Sequence, residues 1–360
     1  MRLLFDARLL QPHFPGIGRY AASLLIALAE VAPHVQLHLL CEAQSEVLDL
    51  PDAQWHRVAP IFSAAGQGQA ARLARRLNVD LCHAPYYVYP LAWPRPIVVT
   101  IHDLIPLEYT AMVPRGWRRW LYGPLHRLAV ARADAIITDS DAARHAVIRH
   151  LKVAERDVTT VPLAPSPFFA ADGTVPRERY FFSLISNKPH KNGGRLIEAY
   201  AATDPAIHGV PLLIAGSKDD DWPTVAAMAA AAGVSEWVRY LGFVSDAALR
   251  DHYRRCLAFL FLPFAEGFGL PPLEAMACGA PTLIADRAPM NELAGEAALR
   301  TDPFDVAGIG SALRRLIEDA ALRRALSEQG QARAATFTWQ ETARQTLRVY
   351  EALIREALKR

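Results

Sequence analysis

Short aliphatic and β-branched runs alternate with longer amphipathic stretches along this chain, and the alternation happens twice. The first series reads as strands at Arg2–Asp6, Val35–Cys41, Ile97–Ile101, Ala135–Thr138 and Val158–Val161. The second reads as strands at Tyr180–Ile185, Pro211–Ala215, Val238–Leu241, Ala258–Leu262 and Pro281–Ala285. Strands apolar along their whole length, separated by helix-length segments, need cover on both faces, which is the condition of a parallel α/β sheet. The segments between carry helical stripes: Leu24, Leu25, Leu28 and Val31 in Ala21–Val31, and Ala143, Ala146, Val147 and Leu151 in Asp139–Leu151, which opens with Asp/Ser capping chemistry. Between the two series stands Val161-Pro162-Leu163-Ala164-Pro165-Ser166-Pro167, whose prolines cannot continue a central strand or a helix.

The sequence therefore predicts two Rossmann-like α/β domains, 1–168 and 169–339. The stretch from Trp339 onward has no Gly or Pro and predicts a last helix, about 340–360, that returns to the first domain. A length of 360 residues accommodates two domains, and 52% hydrophobic with 21% charged residues is a globular composition. A net charge of +2 gives no reason to expect nucleic acid as a partner. Cys41, Cys82, Cys256 and Cys278 form no CxxC pair and sit in or beside apolar runs, so they read as reduced core residues of a cytoplasmic protein. The N-terminus reaches Asp6 too soon for a secretory signal, and the longest apolar stretch, Tyr20–Ala29, falls short of the ~20 residues that cross a bilayer. Any membrane association is expected to be peripheral.

The chemistry concentrates in Phe264-Ala265-Glu266-Gly267-Phe268-Gly269-Leu270-Pro271-Pro272-Leu273-Glu274, which follows the strand Ala258–Leu262. Gly267 and Gly269 allow a tight turn, and Pro271 and Pro272 suit the first turn of a helix. A strand, a glycine loop and a helix start make an anion-binding geometry at the carboxyl end of a parallel strand. Glu266 and Glu274 bracket the loop, and a carboxylate accepts hydrogen bonds from two adjacent sugar hydroxyls. Taken singly, Glu274 also reads as a first-turn acid favoured by the helix dipole, and Glu266 as a solvated loop charge.

The run EGFGLPPLEAMACGAP resembles the signature of family-four glycosyltransferases, which have two glutamates eight positions apart around a glycine loop. GIGRY at Gly16–Tyr20, TIHDLIP at Thr100–Pro106, KPHKN at Lys188–Asn192, AGSKDD at Ala215–Asp220, YLGFVSD at Tyr240–Asp246 and FTWQETARQTLRVY at Phe337–Tyr350 are similar to further family segments, in family order. The resemblance covers nearly the whole chain. It implies a GT-B fold, two Rossmann-like domains facing each other across a cleft, and sugar transfer from a nucleoside diphosphate with retained configuration. It implies that Glu274 holds the nucleotide ribose, and that Glu266 with Gly267, Phe268, Gly269 and Leu270 holds the donor sugar. It also sets Gly16 and Gly18, in a loop before a helix from Tyr20, against the donor phosphates, and His102, at the end of Ile97–Ile101, beside the donor sugar.

A departing diphosphate needs a cation. Lys191 is the candidate, after the strand Tyr180–Ile185 and before a helix near Gly193. The family usually places an arginine just before this lysine; here Lys188, or His190 when protonated, is left to supply the second charge. Asp219-Asp220-Asp221 reads as a solvated loop, so a metal-independent enzyme without cofactor is expected. His102 has a structural histidine as its rival reading, Lys191 a surface charge at a helix start, and Ser140 a helix N-cap. His83 is a weaker candidate for acceptor contact.

No acid lies between Glu108 and Asp134, while Arg115, Trp117, Arg118, Arg119 and Trp120 cluster there. Such a segment suits an anionic membrane interface and a lipid-linked acceptor; a solvated helix with buried tryptophans is the rival reading. Arg19 reads equally as a phosphate or acceptor contact and as a surface arginine. KPHKN and the general resemblance favour mannose from GDP-mannose, in lipopolysaccharide, exopolysaccharide or other glycoconjugate synthesis at the inner face of the membrane. The rival functions are a non-catalytic nucleotide-sugar binding module and another GT-B enzyme such as a nucleotide-sugar epimerase. A Rossmann dehydrogenase would need a third glycine where the first loop has Ala21.

Overall fold

The computed structural model describes all residues except 12–14, 44, 46–47, 110–117, 187, 218–222 and 360. It divides into two units, Met1–Leu163 with Thr338–Arg360, and Ala164–Phe337. Each unit is built on a parallel sheet of the Rossmann kind.

The first sheet contains β1 (Arg2–Asp6), β2 (Gln36–Cys41), β3 (Gln54–Arg57), β4 (Leu81–Ala84), β5 (Ile97–Thr100), β6 (Ala135–Thr138) and β7 (Val158–Thr160). Their order across the sheet is β3-β2-β1-β4-β5-β6-β7. The helices of this unit are α1 (Pro15–Val31), α2 (Ala64–Leu77), α3 (Ile105–Glu108), α4 (Arg118–Arg132) and α5 (Asp141–Leu151). The second sheet contains β8 (Phe181–Leu184), β9 (Leu212–Ala215), β10 (Val238–Gly242), β11 (Ala258–Phe261), β12 (Thr282–Ala285) and β13 (Leu299–Thr301), in the order β10-β9-β8-β11-β12-β13. Its helices are α6 (Gly193–Ala201), α7 (Pro205–His208), α8 (Val225–Ala231), α9 (Asp246–Arg255), α10 (Leu270–Ala277), α11 (Met290–Ala294), α12 (Val306–Glu318) and α13 (Ala320–Ala334).

The central strands β1, β5, β6, β8 and β11 are buried along nearly their whole length, as continuous apolar runs require. The last helix, α14 (Trp339–Ala357), packs on α1 of the first unit. It buries Trp339, Thr342, Ala343, Thr346 and Tyr350, an i, i+3, i+4 stripe. Thr342 donates its hydroxyl hydrogen to the Pro162 carbonyl, 2.7 Å away. All four cysteines are buried and free.

Three strands are missing from the two series read in the sequence: β4, four residues long and fully buried, and two edge strands not legible as apolar runs. β3 (QWHR) and β13 (LRT) are short edge strands, half-exposed and partly polar. α1 begins at Pro15, so Gly16 and Gly18 belong to its first turn and not to a loop before it. Gly18 lets that turn lie close to the chain after β1, since a Cβ there would stand 3.1 Å from the Leu9 carbonyl oxygen.

Candidate active site

In the second unit the chain runs outward from β8 to β9 and β10, then returns past β8 to β11 and continues the other way. Such a reversal leaves a crevice beyond the carboxyl ends of the two strands that flank it, here β8 and β11. The loops leaving those strands carry Lys191 and Glu266.

Backbone and side-chain hydrogen bonds stitch the two loops together. Phe264 N donates to the His190 carbonyl at 2.9 Å. Asn192 donates both amide hydrogens, to the Leu262 carbonyl at 3.0 Å and the Pro303 carbonyl at 2.7 Å. Asn192 is buried in a left-handed conformation (φ 62°) between the single 3-10 turn Pro189–Lys191 and α6, a position Asn tolerates better than most residues. Sequence reasoning assigned Asn192 no role; the one signal it carries is an Asn placed just ahead of a helix.

This staple brings Lys191 Nζ to 2.6 Å from Glu266 Oε2, with side chains 21% and 18% exposed. Nζ also lies 5.6 Å from the centre of the Phe261 ring at the end of β11. Beyond Glu266 the chain turns through Gly269 at φ 109°, where a Cβ would run into the Met290 side chain. α10 starts at the next residue, with Pro271 and Pro272 in its first turn, where missing N–H groups cost no helical hydrogen bond. Gly267, Phe268 and Gly269 are buried and Leu270 is partly exposed.

Two expectations need correction. Glu274 lies in the second turn of α10 and is buried to 1% exposure, so it is neither a first-turn acid nor a surface charge. The charged form of His190 is disfavoured in this loop: burial, reinforced by the charge of Lys191, lowers its pKa to about 4, and its Nδ1 is buried without a hydrogen-bond partner. Lys188 is exposed at the start of the same turn. Asp219, Asp220 and Asp221 lie outside the described residues.

The corresponding reversal in the first unit falls between β1 and β4. Just beyond β1, Arg8 closes on Asp6 in a fully buried pair, Nε to Oδ1 at 2.7 Å and Nη2 to Oδ2 at 2.5 Å. Beyond β5, His102 places Nδ1 2.6 Å from Asp139 Oδ2, and Nε2 3.1 Å from the Pro85 carbonyl oxygen. The sequence marks Asp139 only as the start of a capped helix, and Arg8 not at all.

His83 is not available to an acceptor. It is fully buried, hydrogen-bonded to Tyr350 Oη at 2.5 Å and Thr100 Oγ1 at 2.8 Å, and burial lowers its pKa to about 3. Ser140 is the N-cap of α5, accepting from Ala143 N at 3.1 Å. Gly16 is exposed, Gly18 buried and Arg19 partly exposed. Arg115 and Trp117 lie outside the described residues, and Arg118, Arg119 and Trp120 form the first turn of α4. Further along α4, Leu121, Leu125 and Leu128 are 42%, 39% and 48% exposed.

Known proteins agree with this architecture. Residues 15–164 match the family model "Glycosyltransferase Family 4" and residues 168–333 match "Glycosyl transferases group 1". The O-antigen chain mannosyltransferase B of Escherichia coli is 28% identical over 389 residues, covering 98% of this chain and 100% of that one. The serotype-specific mannosyltransferase WbdA of Escherichia coli is 26% identical over 416 residues; 99% of this chain aligns, and the chain spans about half (49%) of that protein. Anabaena Alr3699/HepE, solved in complex with UDP-glucose, shares the fold with a TM-score of 0.75 at 18% identity, over 98% of this chain and 100% of that one. The chain is thus a glycosyltransferase, a family 4 domain followed by a group 1 domain, each on its own parallel sheet.

Proposed function

We propose that this enzyme transfers mannose from GDP-mannose to a hydroxyl of a growing polysaccharide, with retention of configuration at the sugar. The observation that carries the reading is the Lys191–Glu266 pair at the reversal between β8 and β11. A nucleoside diphosphate leaves with developing negative charge, and Lys191 is a preorganised cation for it. Glu266, released from the lysine by the incoming diphosphate, accepts hydrogen bonds from sugar hydroxyls. The turn into α10 adds backbone N–H donors at Gly269 and Leu270, Pro271 and Pro272 having none, and Glu274 takes the ribose hydroxyls.

Mannose and polysaccharide enter from the relatives, two of which are named mannosyltransferases and one of which is named for the O-antigen chain. For retention we favour a front-face exchange. The bond from the anomeric carbon to the phosphate oxygen breaks, the bond to the acceptor oxygen forms on the same face, and the acceptor proton passes to the departing phosphate oxygen. Catalysis is then positioning and charge stabilisation, with lysine in place of a divalent ion. The exposed leucines of α4 stand at i, i+4 and i+7, beside exposed Arg127, a combination that supports docking on an anionic inner-membrane surface and a lipid-linked acceptor. Among the described residues no helix is long and apolar enough to cross a membrane.

Calorimetric and thermal-shift titration with nucleoside diphosphates and nucleotide sugars, with and without chelator, tests the reading. Selective binding of GDP and GDP-mannose, unaltered by chelator, is the expected result. Binding of a different base moves the donor assignment, and no binding by any member withdraws it.

A further inference from the structure

The ring of His102 is held by two acceptors on two different neighbours. Nε2 faces the Pro85 carbonyl just past β4, and Nδ1 faces Asp139 just past β6. A carbonyl oxygen only accepts, so Nε2 carries a hydrogen; where the proton between Nδ1 and Asp139 resides on the ring, Nδ1 carries one as well and the ring is an imidazolium. β4, β5 and β6 are consecutive in the sheet, so this single ring ties the carboxyl ends of three adjacent strands.

The groups around it agree. Asp139 is 4% exposed in its side chain, with Oδ1 buried and unpartnered, and among the described residues His102 is the group of potential positive charge that contacts it. Asp103, the next residue, adds a second negative charge. His83 on β4 is uncharged, and Tyr20 on α1 presents a ring edge with centroids 4.8 Å apart while its hydroxyl meets Thr100. Burial pulls the His102 pKa down, but the charge and hydrogen bond of Asp139, the charge of Asp103 and the Pro85 carbonyl outweigh it and leave it raised.

We propose that His102 is a positioning residue held as an imidazolium through the neutral pH range, pinning the loops after β4, β5 and β6, and that it does not serve as a base toward the acceptor hydroxyl. The part of this concerning transfer rests on the function proposed above.

Nitrogen-15 NMR of the histidine rings in the intact enzyme reads the protonation directly. At about pH 7.5, both His102 nitrogens are expected in the protonated range, and in Asp139→Asn the ring is expected to be neutral at the same pH. In transfer assays the wild type is expected to show no His102-dependent change from about pH 6 to about pH 8. Asp139→Asn is expected to lose kcat by about 10- to 100-fold as pH rises over that interval, with KM for the donor little changed. A neutral His102 tautomer in the wild type overturns the proposal, as do identical pH profiles for wild type and Asp139→Asn. Wild-type enzyme that transfers from no donor removes the functional reading alone, because the NMR result still decides the state of His102.

Discussion

Lys191 Nζ stands 2.6 Å from Glu266 Oε2 although the two residues are 75 positions apart. The pair is about four-fifths buried, between the exposed pairs that contribute little and the fully buried ones whose disruption is costly. Removing either partner alone is therefore expected to cost about 1–3 kcal/mol of stability. Lys191→Ala is expected to depress kcat more than ground-state donor binding, because the phosphate charge it meets grows as the bond breaks. A double-mutant cycle on urea stability with Lys191→Ala and Glu266→Gln checks the coupling; additive losses would mean the contact contributes nothing to the fold. Equal losses of kcat/KM and of donor affinity in Lys191→Ala would mean that it only holds the substrate.

Glu274 makes a separate prediction. Its carboxylate is buried one turn inside α10, where substitution disturbs a charged acceptor and not a solvated surface. Glu274→Ala is expected to weaken nucleotide binding by ~1.5–3 kcal/mol, roughly 10- to 150-fold in Kd. Binding of the free nucleoside diphosphate is the measurement, since it isolates the ribose contact from the sugar. A variant of lower stability but unchanged nucleotide affinity assigns Glu274 to the fold alone.

What could be read from the sequence follows from what is local. The strand β11, the glycine turn and the start of α10 lie within one continuous segment, so the loop around Glu266 was legible from turn and helix-start chemistry. The Lys191–Glu266 contact was not, because it depends on β8 and β11 being neighbours, which only the sheet order fixes. Asn192 was missed for the same reason: its amide reaches carbonyls at Leu262 and Pro303, remote in sequence. Glu274 was placed a turn too early because α10 begins at Leu270, directly after Gly269. His190 was given a possible charge because burial and the proximity of Lys191 are properties of the packed loop, not of KPHKN as a string.

Histidines whose charged form burial disfavours contribute to the response to acid, three of them strongly. His83, His126 and His190 have pKa values lowered to about 3, 4 and 4, in each case chiefly by burial. The unfolded chain takes up these protons near pH 6.5, before the folded one does, so stability present above about pH 6.5 is lost as pH falls toward 4. His102 has the opposite sign: its raised pKa contributes stability below about pH 6.5 that is lost as pH climbs through the folded value. His83→Gln is expected to lower the melting temperature at neutral pH and to flatten the acid limb, because the proton that drives it is gone. Melting curves across the interval check this; an unchanged acid slope in the variant would show that His83 is not part of the response.

Gly216 and Gly269 separate backbone strain from side-chain crowding. Both have positive φ, 145° and 109°, outside the range other residues adopt freely. A Cβ at Gly216, just past β9, would strike the backbone carbonyl of Ile185 past β8, which cannot move without parting the two strands. A Cβ at Gly269 would meet the flexible end of Met290, which can yield. Each backbone conformation alone costs a non-glycine residue about 1–3 kcal/mol, so Gly216→Ala is expected to lose more stability than Gly269→Ala in urea denaturation. Gly269→Ala is expected to lose more donor affinity than Gly216→Ala, because Gly269 sets the direction of the α10 N-terminus beside Glu266. The reverse order of stabilities would mean that the loop at Gly216 relaxes more easily than its contact with Ile185 implies, and equal donor affinity in the two variants would separate the α10 N-terminus from the donor site.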